Sequence, residues 1–81
     1  MNIEEKVKNI LLELSGVEII DNSSTLQEDL ALDSLLMVML LVKVEEEFGI
    51  VLDESDMNPL NLNTVQSVIN MVCKYIGEEN E

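Results

Sequence analysis

Histidine is absent from all 81 residues. Ser-His-Asp and Cys-His activation of a nucleophile therefore cannot operate within this chain, and imidazole metal sites are excluded with them. A Ser-Lys pair survives on composition, yet Lys6, Lys8, Lys43 and Lys74 are scattered, with no spacing that implies contact with a serine. The expectation is a protein that is not an enzyme. Tryptophan is missing too, and aromatic residues make up 2% of a chain that is 47% hydrophobic. Its interior must be built from Leu, Val, Ile and Met, which repack more readily than rings. The one cysteine, Cys73, cannot form an internal disulfide; among apolar neighbours it reads as a buried thiol in a reducing compartment. Positive charge is scarce: 4 basic residues face 17 acidic ones, a formal net charge of -13. That balance repels nucleic acid and anionic membrane and favours partners with basic surfaces. Neither a signal-peptide pattern nor an apolar run of membrane length is present, because Lys43 and the glutamates after it break the longest run. A soluble cytoplasmic protein with no membrane insertion is expected.

A chain of this length suits one small domain, assigned to residues 1–77, followed by a flexible acidic tail at 78–81. Ile3, Val7, Ile10, Leu11 and Leu14 recur at helical spacing and predict a first helix from Ile3 to Ser15, with Asn2 as its cap, Glu5 completing something like a capping box, and Gly16 ending it. Between Val17 and Asp33 the pattern is irregular. "DNSST" marks a turn, Leu26, Leu30 and Leu32 are spaced as anchors to the core, and Thr25 followed by Glu28 suggests one short helical turn. The second helix starts from an Asp33 cap with Ser34 as its first residue and stops at Gly49. Met37, Leu40, Leu41, Val44 and Phe48 form its core-facing stripe and are expected to be buried. "DESDMNP" predicts a helical turn or two before Pro59, and Asn63 or Thr64 caps a last helix whose inner face is Val65, Val68, Ile69, Val72 and Ile76. The fold class is all-α: a small bundle of three principal helices plus one short helix.

The N-terminal half of the second helix is unusual because it is apolar nearly all round. Leu35, Leu36, Val38, Met39 and Val42 lie largely off the core stripe, and the fully polar surface begins only at Lys43 and Glu45 to Glu47. These five residues read as a docking surface flanked by Glu45 and Glu46, which would steer basic partners. Cover by the long loop, or by a second copy, is the other reading, since large exposed apolar patches are uncommon on monomers. Ser34 is equally out of place as a lone hydroxyl at so apolar a mouth. A helix N-terminus offers unpaired N–H groups and the positive end of a dipole, so a phosphodiester on Ser34 would be well seated; Asp33 and Ser34 also fit an ordinary helix start. Asp53, Glu54 and Asp56 lie close together but lack the alternating ligands, central glycine and closing glutamate of a calcium loop. No dedicated metal site is expected.

Taken together, "LALDSL" from Leu30 to Leu35, "EEEFGI" from Glu45 to Ile50, the acidic turn with Met57, and "TVQSVI" from Thr64 to Ile69 resemble, in order and over essentially the whole chain, the acyl carrier protein family with its peptidyl and aminoacyl carrier relatives. The resemblance implies an acyl-carrier-protein-like fold and a 4'-phosphopantetheine attached covalently to Ser34, transferred from coenzyme A by a separate magnesium-dependent phosphopantetheinyl transferase. The base that activates the serine then belongs to another protein, which removes the difficulty of the missing histidine. Asp33 would help cap the helix and assist the transferase's metal, and Leu35 would contact the transferase and later partners. The thiol of the attached arm, not Cys73, would hold the cargo.

On the same resemblance the chain would be a discrete, monomeric carrier of acyl or aminoacyl thioesters. It would be charged by an acyl- or aminoacyl-loading ligase and would serve synthase and transferase enzymes with basic docking surfaces. Leu36 and Met39 stand where fatty-acid members commonly carry acids, and Lys43 where a small residue is frequent, which points to a specialised pathway: polyketide, nonribosomal peptide or modified lipid. A housekeeping fatty-acid carrier is the alternative, and an acidic adaptor of the same fold without a prosthetic group is a rival of another class. Ala31 stands where the family often has glycine, so the backbone there should avoid strongly positive φ, or the alanine is strained.

Overall fold

The computed structural model describes residues 2–57 and 62–77; the expected stop at Pro59 and the acidic tail at 78–81 lie outside them. Three helices, α1 (Ile3–Ser15), α2 (Ser34–Phe48) and α3 (Val65–Ile76), enclose the core, and a 3-10 helix spans Glu54–Met57. Local chemistry sets the ends. The Asn2 side chain accepts from the Glu5 N–H at 3.0 Å, and the Asp33 carboxylate accepts from the Leu36 N–H at 2.9 Å. Thr64, rather than Asn63, caps α3, in a reciprocal box with Ser67: each side chain reaches the other's backbone.

The core is aliphatic. Val7 and Leu11 of α1, Met37, Leu40, Leu41 and Val44 of α2, and Val65, Val68, Ile69 and Val72 of α3 are buried against one another, and Cys73 is buried at the edge of the same cluster. Phe48, expected to be buried with the α2 stripe, is only half-buried. It is the last residue of α2, where Gly49 (φ 65) reverses the chain and removes the next turn that would have covered the ring. Ile76, at the end of α3, is half-buried for the same reason.

The long connection is stitched to the core rather than loose. Leu26, Leu30 and Leu32 are all buried, as their spacing predicted. Thr25 starts the one short turn expected of it, but Glu28 is not its partner. Its reciprocal partner is Asp29, whose carboxylate accepts from the Thr25 N–H while the Thr25 hydroxyl accepts from the Asp29 N–H, both at 2.9 Å. The Thr25 carbonyl takes the N–H groups of both Asp29 and Leu30, which closes one turn without propagating it. Leu32 N–H then bonds back to the Leu26 carbonyl at 2.9 Å, so the chain folds back on itself after Leu30. Ala31 sits at that bend with φ 54, the one non-glycine residue in the left-handed region among those described. Of the two expected alternatives, a backbone that avoids strongly positive φ or a strained alanine, the structure has the second, and the alanine carries the left-handed cost of about 1–2 kcal/mol. A single antiparallel bridge, Thr25 to Thr64, ties the connection to the approach to α3; Leu26 N–H bonds Asn63 O, and Val65 N–H bonds Ser24 O.

All four lysines have acidic partners. Lys6 with Glu47 (2.8 Å) and Lys43 with Glu13 (3.1 Å) join opposite ends of α1 and α2, so these helices run antiparallel. Lys8 meets Glu4 within α1, and Lys74 meets Asp56. Such exposed pairs are worth about 0–1 kcal/mol each, and the excess acids behind the net charge of -13 remain. Screening should therefore stabilise the fold. Raising NaCl from low concentration to about 0.5 M relieves repulsion on the order of 1 kcal/mol and should raise Tm by roughly 4–8 °C; a scanning-calorimetry series with a flat or falling Tm would contradict this.

Candidate functional site at the mouth of helix α2

Ser34 is the first residue of α2 and is exposed. The preceding loop determines this placement: with Leu30 and Leu32 fixed in the core, Asp33 is left outside in extended geometry (φ -86, ψ -176) to cap the helix. Asp33 satisfies two of the first amides, Leu36 N–H through its side chain and Met37 N–H through its carbonyl at 2.9 Å. The N–H groups of Ser34 and Leu35 are left without intrahelical acceptors, as at any helix start. Because Asp33 carries the capping bond, the Ser34 hydroxyl is not needed to hold the helix.

Beyond it lies the apolar face. Leu35 is 68% exposed, Val38 50%, Met39 41% and Val42 42%, whereas Leu36 is half-buried and rests partly on the core. Four of the five residues expected off the core stripe therefore form an open surface, and the fifth is its inner margin. The neighbouring acids differ in employment. Glu45 is half-buried, and its carboxylate accepts from the Leu52 N–H at 2.9 Å while its carbonyl receives Gly49 and Ile50 N–H groups, so it fastens the reversal after α2. Glu47 is paired with Lys6. Glu46 is exposed and projects beside the α1–α2 groove lined by Lys6, Asn9, Glu13 and Lys43. The sequence flagged Glu45 and Glu46 as equivalent steering charges; tertiary contacts give Glu45 a structural task that no local pattern signals.

The acidic segment after α2 is a clasp. The Tyr75 hydroxyl donates to the Asp56 carboxylate and accepts from the Asp53 N–H at 2.8 Å, and Lys74 donates to the same Asp56 oxygen at 2.9 Å. These bonds fix the 3-10 helix to α3. Among the described residues, no group of three or more Cys, His, Asp or Glu side chains converges as a metal site. Hydrogen bonds from Tyr75 and then Lys74 hold the Asp56 carboxyl below its ordinary range, and the bond to Asp56 pushes the Tyr75 hydroxyl and Lys74 ammonium upward. The lowered Asp56 contributes stability that is complete above the ordinary aspartate value, about 3.9, and is lost as pH falls through its folded value. The raised Tyr75 contributes stability that is complete below its ordinary value, about 10, and is lost as pH climbs through the folded one. Tyr75→Phe should therefore flatten both limbs of the Tm-against-pH curve while lowering its plateau; limbs as steep as those of the parent protein would contradict the clasp.

The sequence model of the family described as "Phosphopantetheine attachment site" matches residues 5–72. An acyl carrier protein of Buchnera aphidicola subsp. Baizongia pistaciae is 40% identical over 77 residues, covering 93% of this chain and 96% of that one. The chain belongs to the acyl carrier protein family. A second acyl carrier protein, from Buchnera aphidicola subsp. Schizaphis graminum, is 35% identical across 99% of the chain and 96% of its own length. The fold agrees with the crystal structure of an acyl carrier protein from Thermotoga maritima, with a TM-score of 0.75 at 21% identity, covering 93% of this chain and 92% of that one. Acyl carrier proteins are carriers, not catalysts, and the matched domain indicates a covalently attached 4'-phosphopantetheine. The residues at the mouth of α2 fit such a group: an exposed hydroxyl, two helix-end amides and no covering side chain that would have to move. No helix among the described residues is long and apolar enough to cross a membrane.

Proposed function

We propose that Ser34 is the attachment point of the prosthetic arm and that this carrier serves a specialised pathway, delivering acyl or aminoacyl groups for polyketide, nonribosomal peptide or modified-lipid synthesis. The observation that carries the proposal is an exposed Ser34 at the first position of α2, beside an apolar face that has no acid between Asp33 and Glu45. The arm supplies a thiol that holds the cargo as a thioester. The chain's own part is to present the hydroxyl, to favour the phosphate with helix-end amides, and to offer partners a surface next to the arm. Loading breaks the Ser34 O–H bond and forms a Ser34 O–P bond as the P–O bond of the coenzyme A phosphoanhydride breaks and adenosine 3',5'-bisphosphate leaves; the proton passes to a base of the transferase. Tethering replaces dilution by an effective concentration fixed by arm length, so each enzyme in the sequence meets its substrate at high local concentration.

Two measurements test this reading. Incubation with coenzyme A, magnesium and a broad-specificity phosphopantetheinyl transferase should add one phosphopantetheine to the intact mass, and peptide mapping should place it on Ser34. Attachment elsewhere, or none, overturns the site. The loaded carrier should then be a poor acceptor for the malonyl transferase of a fatty-acid synthase, because Leu36 and Met39 replace acids that its basic docking surface would read. Efficient malonyl transfer would return the protein to housekeeping fatty-acid synthesis.

A further inference from the structure

Asp29 is an exposed carboxylate shortly before Ser34, where a charge that greets a basic partner would be sought. Its bonds give it another task. The carboxylate accepts from the Thr25 N–H and the Asp29 N–H donates to the Thr25 hydroxyl, both at 2.9 Å. The Thr25 carbonyl accepts from the Asp29 and Leu30 N–H groups, both at 3.1 Å. Thr25 is itself a fixed point: it bridges to Thr64, and its neighbours Ser24 and Leu26 are bonded to the Val65 N–H and the Asn63 carbonyl at the approach to α3. The bonds of Asp29 therefore tie the turn to the bundle.

The next residue but one opposes them. Ala31 is exposed, takes φ 54 and makes none of these bonds, and its left-handed backbone is disfavoured by about five- to thirtyfold in an L-residue. Just beyond it the Leu32 N–H bonds the Leu26 carbonyl at 2.9 Å, the contact that brings the chain back to the core before Asp33 and Ser34. Relaxation of Ala31 to negative φ would rotate the peptide between Ala31 and Leu32, break that contact and re-aim the residues that follow. The latch at Thr25 and Asp29 and the strain at Ala31 thus pull one short segment in opposite directions.

We propose that Asp29 is a positioning residue for the loading of Ser34: through Thr25 it holds the strained Ala31 turn closed, and the closed turn presents the hydroxyl to the transferase. The inference rests on the assignment of the arm to Ser34 and adds a residue that acts from outside the attachment point. A charge read directly by the transferase would equally make Asp29→Ala defective, but two other substitutions separate the roles. An amide oxygen accepts from an N–H as a carboxylate does, so Asp29→Asn keeps the latch and loses the charge. Ala31→Gly removes the opposing strain and leaves every charge as it was.

The test uses the full-length protein and follows two quantities, hydrogen exchange of the Leu32 amide by NMR and kcat/KM for the mass gain with coenzyme A, magnesium and a broad-specificity phosphopantetheinyl transferase. Asp29→Ala should speed exchange at Leu32 about tenfold, as loss of a charge-assisted hydrogen bond does, and lower kcat/KM about threefold, mainly through KM, because the presenting form is less populated. Asp29→Asn should stay within about twofold of the parent protein in both quantities. Ala31→Gly alone should slow exchange at Leu32 about fivefold, and in the Asp29→Ala background it should return both quantities to within about twofold of the parent. Exchange at the buried Leu40 amide, unchanged throughout, separates this local effect from a general loss of stability. If Asp29→Ala does not fold, as circular dichroism would show, the Asp29→Asn and Ala31→Gly single variants decide between the two roles. Loading lost in Asp29→Asn, no rescue by Ala31→Gly, or Leu32 exchange indifferent to Ala31→Gly overturns the positioning role while leaving Ser34 as the attachment site. Absence of any mass gain in the parent protein overturns the attachment site and the role of Asp29 with it.

Discussion

Ser34→Ala is expected to abolish the gain of phosphopantetheine completely while leaving the fold as stable as before. The two halves of that result come from different physics. On the proposed assignment, attachment needs a hydroxyl oxygen at this position, and the neighbouring Asp33 cannot substitute for it because a carboxylate would form a hydrolytically labile acyl phosphate rather than a phosphodiester, and its side chain is already bonded to Leu36 N–H. Stability, by contrast, does not depend on the hydroxyl. Ser34 is exposed and lies one residue inside the cap, where alanine is a better helix former, so the change should stay within about 0.5 kcal/mol. Asp33→Ala separates the roles in the other direction. It should lose about 1 kcal/mol of capping energy and slow loading without eliminating it, since the attacking oxygen remains. Intact-mass spectrometry paired with thermal melts distinguishes these outcomes; a Ser34→Ala protein that still gains the arm would remove Ser34 from the assignment.

The largest effect on the fold itself should come from Leu40→Ala. Leu40 is fully buried in α2, within the core cluster that draws side chains from all three helices. Truncations of this type cost about 2–5 kcal/mol, depending on how far the site collapses. A domain of this size has only about 4–12 kcal/mol in total at the usual 0.05–0.15 kcal/mol per residue. The variant should therefore lose a large part of its stability. Its urea midpoint should fall accordingly, and its loading by the transferase should weaken as the folded fraction declines, whereas Ser34→Ala leaves the midpoint in place. A methionine at the same position, Leu40→Met, conserves volume and should cost less than about 1.5 kcal/mol. Equal midpoints for the alanine variant and the parent protein would mean that the core is looser than its burial implies.

The carrier role connects these two results. On the proposed reading the carrier presents one hydroxyl and one face of one helix to several enzymes in turn, and it performs no chemistry that would require buried charge. The structure is consistent with that division: no buried polar or charged residue was found in the described core, and the ionic contacts lie on the outside. The clasp of Tyr75, Asp56 and Lys74 holds the 3-10 helix to α3, so that the segment following α2 has a fixed position.

Helix boundaries were readable residue by residue, because caps and stops act within one turn: Asn2, Asp33 and Gly49 do in the structure what their side chains, or the lack of one, allow locally. The candidate attachment serine and the excess of apolar residues on α2 were readable for the same reason, since helical spacing assigns each residue to a face. Long-range partnership was not. Glu45 and Glu46 are neighbours in an acidic run, and only the chain reversal at Gly49 brings the Leu52 N–H to one of them and leaves the other in solvent. Ala31 stands where the family often has glycine, but that left two backbones open; its left-handed φ is seen only in the turn that carries Leu32 N–H back to the Leu26 carbonyl. Thr25 chose Asp29 over Glu28, and Tyr75 found Asp56 nineteen positions away in sequence. What the chain determined by itself was which segments are helical, which face of each is apolar and where an exposed hydroxyl begins a helix, all consequences of short-range backbone chemistry. Which charges stay free to meet a partner was decided only in three dimensions, because a carboxylate pairs with whatever donor folding brings within about 3 Å.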